Sequence, residues 1–151
     1  MIAAAYDVEF GNQISEVWCE SPVVAAEISD DQKVLTLALG RPLAPRNSVR
    51  EVVRLDVVAR TVVGSWKLPG ELNADHFQFS SGGARAAFTE TGNRVIQYWD
   101  VEKGARMAKS QQLPDECTAL SFDRYRLGDE APAPLAVGFK GGSAAVLRIP
   151  K

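Results

Sequence analysis

Short apolar segments alternate with polar turn segments along the chain, and this pattern predicts strands. The apolar segments are five to seven residues long and rich in valine, isoleucine, threonine and aromatic residues, with glycine, proline, asparagine and aspartate between them. No long segment places apolar residues at a period of 3.6, so no helix is predicted. We therefore expect an all-β fold.

The strand pattern recurs along the chain. An apolar strand that ends in aspartate, valine and a turn occurs in four copies, at 3–11, 53–57, 95–104 and, in degenerate form, 146–150. The aspartates of the first three copies, Asp7, Asp56 and Asp100, are 49 and 44 positions apart. In the fourth copy Pro150 takes the aspartate's place. A recurring spacing of this size is typical of a repeat protein.

The segments between these copies repeat in the same phase, each with a short strand ending in proline, an alternating strand with a turn, and a further strand. Four strands in about 43 to 51 residues match one antiparallel blade of a β-propeller, in which sheets stacked around an axis bury one another's faces. The predicted units are 1–22 (two strands), 23–70, 71–115 and 116–151. The alternative is an ordinary β-sandwich or barrel whose turns happen to recur.

The middle unit resembles the WD-repeat family. Residues 77–88 are similar to the family's first inner strand, its turn and the start of the second strand, and 89–100 are similar to the tight turn and the third strand ending in Trp-Asp. The resemblance implies a brace of His, Ser or Thr, Asp and Trp in each blade. Here Trp99 is present and Asn93 stands at the turn aspartate, but no Gly-His pair precedes any repeat, and His76 lies too close to the inner strand. We therefore expect apolar burial to stabilise the blades.

The number of repeats predicts a partial ring. The chain supplies about three blades, whereas closed propellers typically need about four to eight. Self-association, a partner protein or a longer chain could supply the rest, and we expect the isolated chain not to be a stable monomer, because open blade faces would expose large apolar areas. Trp18 and Trp66 fall in the outer strands of successive units, where we expect Trp66 to pack between blades.

Composition narrows the function classes. With 46% hydrophobic and 24% charged residues the chain matches globular proteins, and its net charge of −2 argues against a general nucleic-acid or membrane-surface role. No apolar run approaches the roughly 18 residues that cross a bilayer, and the N-terminus does not match a signal peptide. Two cysteines are too few for a disulfide framework, so we expect a cytoplasmic, intracellular setting.

No set of residues predicts catalysis. His76 is the only histidine, and a strand histidine satisfied by its neighbours is the simpler interpretation. The Gly82-Gly83 and Gly141-Gly142 pairs lack the spacing of phosphate loops and indicate turns, and the Ser80-Ser81 pair has no accompanying base. We expect no catalytic residue, no metal site and no cofactor.

Two insertions, 40–48 and 124–134, lengthen the repeat. Insertions in repeat proteins form loops that often carry binding. Arginine and tyrosine are common in interface hot spots. The candidate binding residues are therefore Arg41, Arg46, Tyr125 and Arg126, together with the neighbouring Leu127. The insertions join different strand pairs, so we expect them at opposite ends of the ring. Tolerated length variation explains them equally well.

Together these features predict a protein–protein interaction scaffold of WD40-like blades, present as a homo-oligomer or in a larger complex. The alternative is a small-molecule or carbohydrate binding site, or an enzymatic one, in a propeller channel. That alternative needs polar residues that converge from equivalent repeat positions, and the repeats do not share them.

Overall fold

The computed structural model describes residues 2–6, 13–18, 21–40, 49–68, 74–90, 94–107, 110–123 and 134–148. Within these ranges the fold is antiparallel β throughout, with a single 3-10 turn at Ser81–Gly83. The all-β expectation is confirmed.

Successive segments of the chain form four sheets. The N-terminal hairpin comprises β1 (Ile2–Tyr6) and β2 (Gln13–Trp18). The first sheet has four strands in chain order: β3 (Val23–Ile28), β4 (Val34–Gly40), β5 (Val49–Asp56) and β6 (Thr61–Lys67). The second sheet contains β7 (Ala74–Phe79), β8 (Arg85–Glu90), β9 (Val95–Asp100), β10 (Ala105–Arg106) and β11 (Gln111–Gln112). The third sheet contains β12 (Cys117–Phe122), β13 (Pro134–Phe139) and β14 (Ala144–Arg148).

The three larger sheets repeat one detail of strand pairing. In each sheet the first strand carries one extra, unpaired residue next to an equivalent pair with the second strand, and the register shifts there. The pairs that border the shift are Ala25 with Ala38, His76 with Thr89, and Ala119 with Gly138. A bulge that recurs at one place is a feature of the repeat. It allows each position of one sheet to be matched with its equivalent in the others.

This matching corrects one predicted equivalence. Asp56 pairs with Val34 at the start of the second strand, and Asp100 pairs with Arg85 at the same place. In the third sheet the second strand starts at Pro134, and its partner on the third strand is Arg148. Arg148, and not Pro150, therefore holds the aspartate's position, because strand register and not the sequence motif fixes the equivalence.

The sheets stack face to face and diverge from their first strands. Between neighbouring sheets, β7 makes the closest contacts, with β3 on one side and β12 on the other. A first apolar core lies between the first and second sheets and includes Val52, Phe88 and Trp99. A second core lies between the second and third sheets and includes Tyr98 and Val137. The apolar faces of the middle sheet are thus buried on both sides, as a stacked repeat requires.

The turn after the third strand has the same construction in two sheets. The carboxylate of Asp56 accepts hydrogen bonds from the backbone N–H groups of Val58 (2.9 Å) and Ala59 (2.7 Å), and that of Asp100 accepts one from Lys103 (3.0 Å). These Asx turns explain the recurring aspartate.

The same turn contains a position with positive φ. Arg60 (φ 56°) and Gly104 (φ 61°) occupy it. A Cβ added to Gly104 would collide with Cδ1 of Trp66, so the indole of Trp66 lies directly over this glycine. The outer strand of the first sheet is thereby packed against the turn of the second, which confirms that Trp66 packs between sheets.

The outer strand of the second sheet differs from the expected single strand. It is divided into β10 and β11, and both pair with β9. Arg106 pairs with Trp99 and Gln111 with Ile96, so the outer strand contributes more residues between these pairs than β9 does. The extra residues interrupt the ladder.

Trp99 is held by packing. It is 3% exposed and lies in the first core, and its indole N–H has no hydrogen-bond partner among the described residues. Truncation to alanine leaves a large cavity, so Trp99→Ala should lower the free energy of unfolding by about 3–5 kcal/mol. Trp99→Phe should cost less, because it keeps a ring in the core and removes a buried donor without a partner. Urea unfolding at one fixed protein concentration measures both, and a loss below about 1 kcal/mol for Trp99→Ala would place Trp99 outside a core.

The contact between Trp66 and Gly104 gives a second test. Gly104→Ala should cost about 2–4 kcal/mol, because it combines a positive φ with a clash against the indole. In a Trp66→Ala background the same change should cost only about 1–2 kcal/mol, the conformational part. Arg60→Ala is the matched control at the equivalent, exposed turn position and should be nearly neutral. Additive losses from Gly104→Ala and Trp66→Ala would contradict the contact.

Candidate interaction surfaces

Each sheet has two ends with different connections. The aspartate end carries the turns from first to second strand and from third to fourth strand, including Asp56 and Asp100. The linker end carries the turns from second to third strand and the segments that join one sheet to the next. The two ends therefore carry different sets of loops.

The five predicted binding residues, Arg41, Arg46, Tyr125, Arg126 and Leu127, lie outside the described residues. Their stems are described. The first insertion connects Gly40 to Val49 at the linker end, where Gly40 also donates a backbone hydrogen bond to Pro22 (2.8 Å). The second connects Asp123 to Pro134 at the aspartate end, and the N–H of Asp123 donates to the carbonyl of Pro134 (3.1 Å). The stems therefore leave from opposite ends of their sheets.

A charged cluster at the linker end ties the second sheet to the third. Arg94 lies 3.3 Å from Asp115, and Lys140 lies 2.9 Å from Glu116. The Glu116 backbone N–H first, then the N–H of Gly141 and the charge of Arg94, hold the pKa of Asp115 below its ordinary value. The hydrogen bond and charge of Glu116 raise the pKa of Lys140. These groups are solvent-exposed, so the cluster orients the turn of β13 and β14 and adds little stability.

Serines build the turns at the aspartate end. Ser29 Oγ accepts a hydrogen bond from the N–H of Val34 (2.9 Å), and Ser80 Oγ accepts one from the N–H of Arg85 (3.1 Å). Ser29 also donates to Asp31 (2.6 Å), and this bond, with the N–H of Lys33, lowers the pKa of Asp31. The hydroxyls at equivalent positions thus serve the backbone, as the turn interpretation of Ser80 predicted.

The remaining reactive groups do not converge. His76 is half-buried in β7, and its equivalents in the other sheets are Ala25 and Ala119. Cys117 is buried, and burial raises the pKa of its thiol, which disfavours the nucleophilic thiolate. Among the described residues no three His, Cys, Asp or Glu side chains come together as metal ligands. The described part of the chain also contains no helix that could span a membrane.

A surface that the sequence analysis missed lies on the third sheet. Arg148, which pairs with Pro134, lies on the face of this sheet that points away from the second sheet. The rest of that face is made mostly of small residues, which we call the open face: Ala119, Ser121, Ala136, Gly138, Ala144 and Val146. All of them are exposed except Gly138, which is half-buried. The signal was available, because these residues alternate along β12 and β13 with the larger Leu120, Phe122, Leu135 and Val137.

Comparison with known proteins finds the fold. No family model matches the chain, and no curated protein matches it. Among solved structures, the β-propeller domain of Cps50 (Swd1) from Myceliophteria thermophila superposes with a TM-score of 0.66 at 12% sequence identity, over 99% of this chain and 45% of that chain. The chain thus spans less than half the length of that propeller domain. Given the stacked antiparallel sheets and this likeness, the chain folds as a partial ring of β-propeller blades.

Proposed function

We propose that the chain is a protein–protein interaction scaffold in which stacked blades hold two binding insertions, and that self-association or a partner protein completes the ring. The observation that best supports the proposal is the partial propeller itself. Its blades form a rigid array, and the longest loops between strands leave this array from stems whose two ends lie side by side. Rigid presentation lowers the entropy that a loop loses when it binds.

The two insertions supply the recognition chemistry in this proposal. Arg41 and Arg46 at the linker end offer planar guanidinium groups, which pair with carboxylates. Tyr125, Arg126 and Leu127 at the aspartate end combine aromatic, charged and apolar groups, and aromatic residues and arginine are enriched in interface hot spots. Because the stems leave from opposite ends, the scaffold can bridge two proteins. The proposal places the chain in the cytoplasm, without catalysis, cofactor, nucleic acid or membrane.

The alternative of a channel site for a small molecule or carbohydrate has no observation that favours it. Such a site needs polar groups that converge, and the equivalents of His76 are alanines. We do not propose it.

The insertions provide the test. A variant with Arg41 and Arg46 changed to serine should lose one set of captured proteins, and a variant with Tyr125, Arg126 and Leu127 changed to serine should lose another. We expect losses of at least about tenfold, as for hot-spot residues. Quantitative mass spectrometry after affinity capture from a lysate of the source cells measures them.

A matched control carries Val58→Ser and Arg106→Ser, which alter an exposed valine and an exposed arginine outside the insertions. It should retain the captured proteins. An unchanged set of proteins in both insertion variants would contradict loop-based binding.

A further inference from the structure

The outer edge of the first sheet is an exposed strand. β6 is the last strand of that sheet and pairs only with β5, so its other edge has no strand partner among the described residues. Five of the seven residues of β6 are exposed. The backbone N–H and C=O groups along such an edge are those that a further strand would pair with, so the edge is a template for strand addition.

The outer edge of the second sheet differs from that of the first. Its outer strand is divided into β10 and β11, which have two residues each, and the ladder is interrupted between them. The one irregularity in β6 is the extra residue Val63, which lies between the pairs Leu55–Val62 and Arg54–Gly64. From Gly64 to Lys67 the pairing is continuous. Of the two outer strands, only β6 is therefore long enough to pair with an extended segment.

Apolar side chains lie in water on this edge strand. Val62 is 60% exposed and Val63 is 56% exposed. Valine is favoured in strands because its branched side chain packs against neighbours on a sheet, and these two valines have few neighbours. A partner strand that covers them would gain the free energy of burying their apolar area.

Cations lie at both ends of β6. Arg60 precedes the strand in the turn after β5, Lys67 is its last residue, and Arg50 lies beside Lys67, where its carbonyl accepts a hydrogen bond from Leu68 (2.9 Å). All three cationic side chains belong to exposed residues, and none of them forms an ion pair with a described residue. Each is therefore free to pair with a carboxylate from outside the chain.

The carboxylates nearest to these cations already serve the hairpin of β5 and β6. Glu51 accepts a hydrogen bond from Ser65, and Asp56 accepts two from its own turn. The edge therefore presents more unpaired positive than negative charge, although the whole chain has a net charge of −2. Like charges on an edge strand oppose its pairing with a copy of itself, whereas a strand with carboxylates at its ends is attracted.

We propose that β6 binds an extended acidic segment of a partner protein, which adds to the first sheet as a further strand. The segment carries carboxylates near both of its ends, opposite Arg60 and Lys67, and apolar side chains between them that cover Val62 and Val63. Backbone pairing supplies the affinity, and the end charges select an acidic partner over a second copy of this chain. This surface goes beyond the two insertions and does not depend on them.

A synthetic peptide is the probe for this edge. It alternates valine and threonine over about eight residues, the length of an ordinary strand, with a pair of glutamates at each end and blocked termini. Titrated into the full chain labelled with nitrogen-15, it should shift the amide signals of β6 most and saturate them. The same peptide N-methylated at each central residue should bind at least about tenfold more weakly, because it cannot pair through its backbone.

Charge reversal tests the selectivity. In the double variant Arg60→Glu and Lys67→Glu, the glutamate peptide should bind at least about tenfold more weakly, and a peptide with lysine in place of glutamate should bind better than it. Both positions are exposed, so the variant should keep its far-ultraviolet circular dichroism. The matched control, Arg106→Glu with Arg148→Glu, alters two exposed arginines away from β6 and changes the net charge equally. It should keep the affinity for the glutamate peptide within about twofold.

Several outcomes would overturn the inference. They are shifts that do not saturate, shifts centred outside β6, equal binding of the N-methylated peptide, and a charge-reversed variant that still prefers the glutamate peptide. Concentration-dependent shifts in β6 without peptide would also overturn it, because the edge would then take a second copy of the chain. The insertion variants should bind the peptide as the unaltered chain does. Loss of loop-based binding therefore contradicts only the proposed function, and loss of peptide binding contradicts only this inference.

Discussion

Burial of both faces of a twisted sheet is the constraint on which this structure depends. A four-stranded sheet with apolar side chains on both sides cannot be stable alone in water, so each sheet needs a neighbour on each face. The chain meets this need with complementary faces. Large rings such as Phe88 and Trp99 project from the second sheet toward Ala38 and Val52 of the first. The difference in side-chain size lets neighbouring sheets approach closely while leaving little empty space.

Local backbone devices keep the faces in phase. A slip of one residue would turn each buried side chain to the other face of its sheet. The recurring shift next to Ala25, His76 and Ala119 fixes the first strand, and the Asx turns at Asp56 and Asp100 fix the third. These polar contacts add little energy each, but they decide which side chains reach the core. They explain why aspartate recurs more reliably than the tryptophan beside it.

The sequence predicted the strands, their order and the recurrence of the aspartates at equivalent strand ends, because alternation and turn residues are local signals. Trp66 was also correctly expected between sheets, since an outer-strand tryptophan in a repeat has few other places to pack. Register was harder to predict. The equivalence of Arg148 with the aspartates depends on its pairing with Pro134 on the preceding strand, which the local motif does not reveal. The division of the outer strand into β10 and β11 depends likewise on pairing with β9.

The same limit applies to the candidate surfaces. The insertions were recognisable because they lengthen the repeat, and the opposite ends of their stems followed from strand order. The open face was missed because alanine and glycine at 136, 138 and 144 carry no chemistry of their own. Their alternation with larger residues is visible in the sequence, but only the pairing of β12, β13 and β14 aligns them with buried residues of the other sheets.

The two described interfaces between sheets are unequal in their polar content. Four buried side-chain atoms without a hydrogen-bond partner among the described residues lie on the facing sides of the first and second sheets: Thr36 Oγ1, Arg54 Nε, Gln97 Oε1 and Trp99 Nε1. In the interface of the second and third sheets, the hydroxyl of Tyr98 instead donates to Gln111 (3.2 Å). An unpaired buried polar group costs about 1–3 kcal/mol. The aromatic packing of Phe77 against Phe79 and Phe88, with ring centroids 5.0 and 5.8 Å apart, opposes this cost. The interface between the first and second sheets therefore depends more on apolar packing than the interface between the second and third sheets does. A loss of packing between the first and second sheets should destabilise the array most.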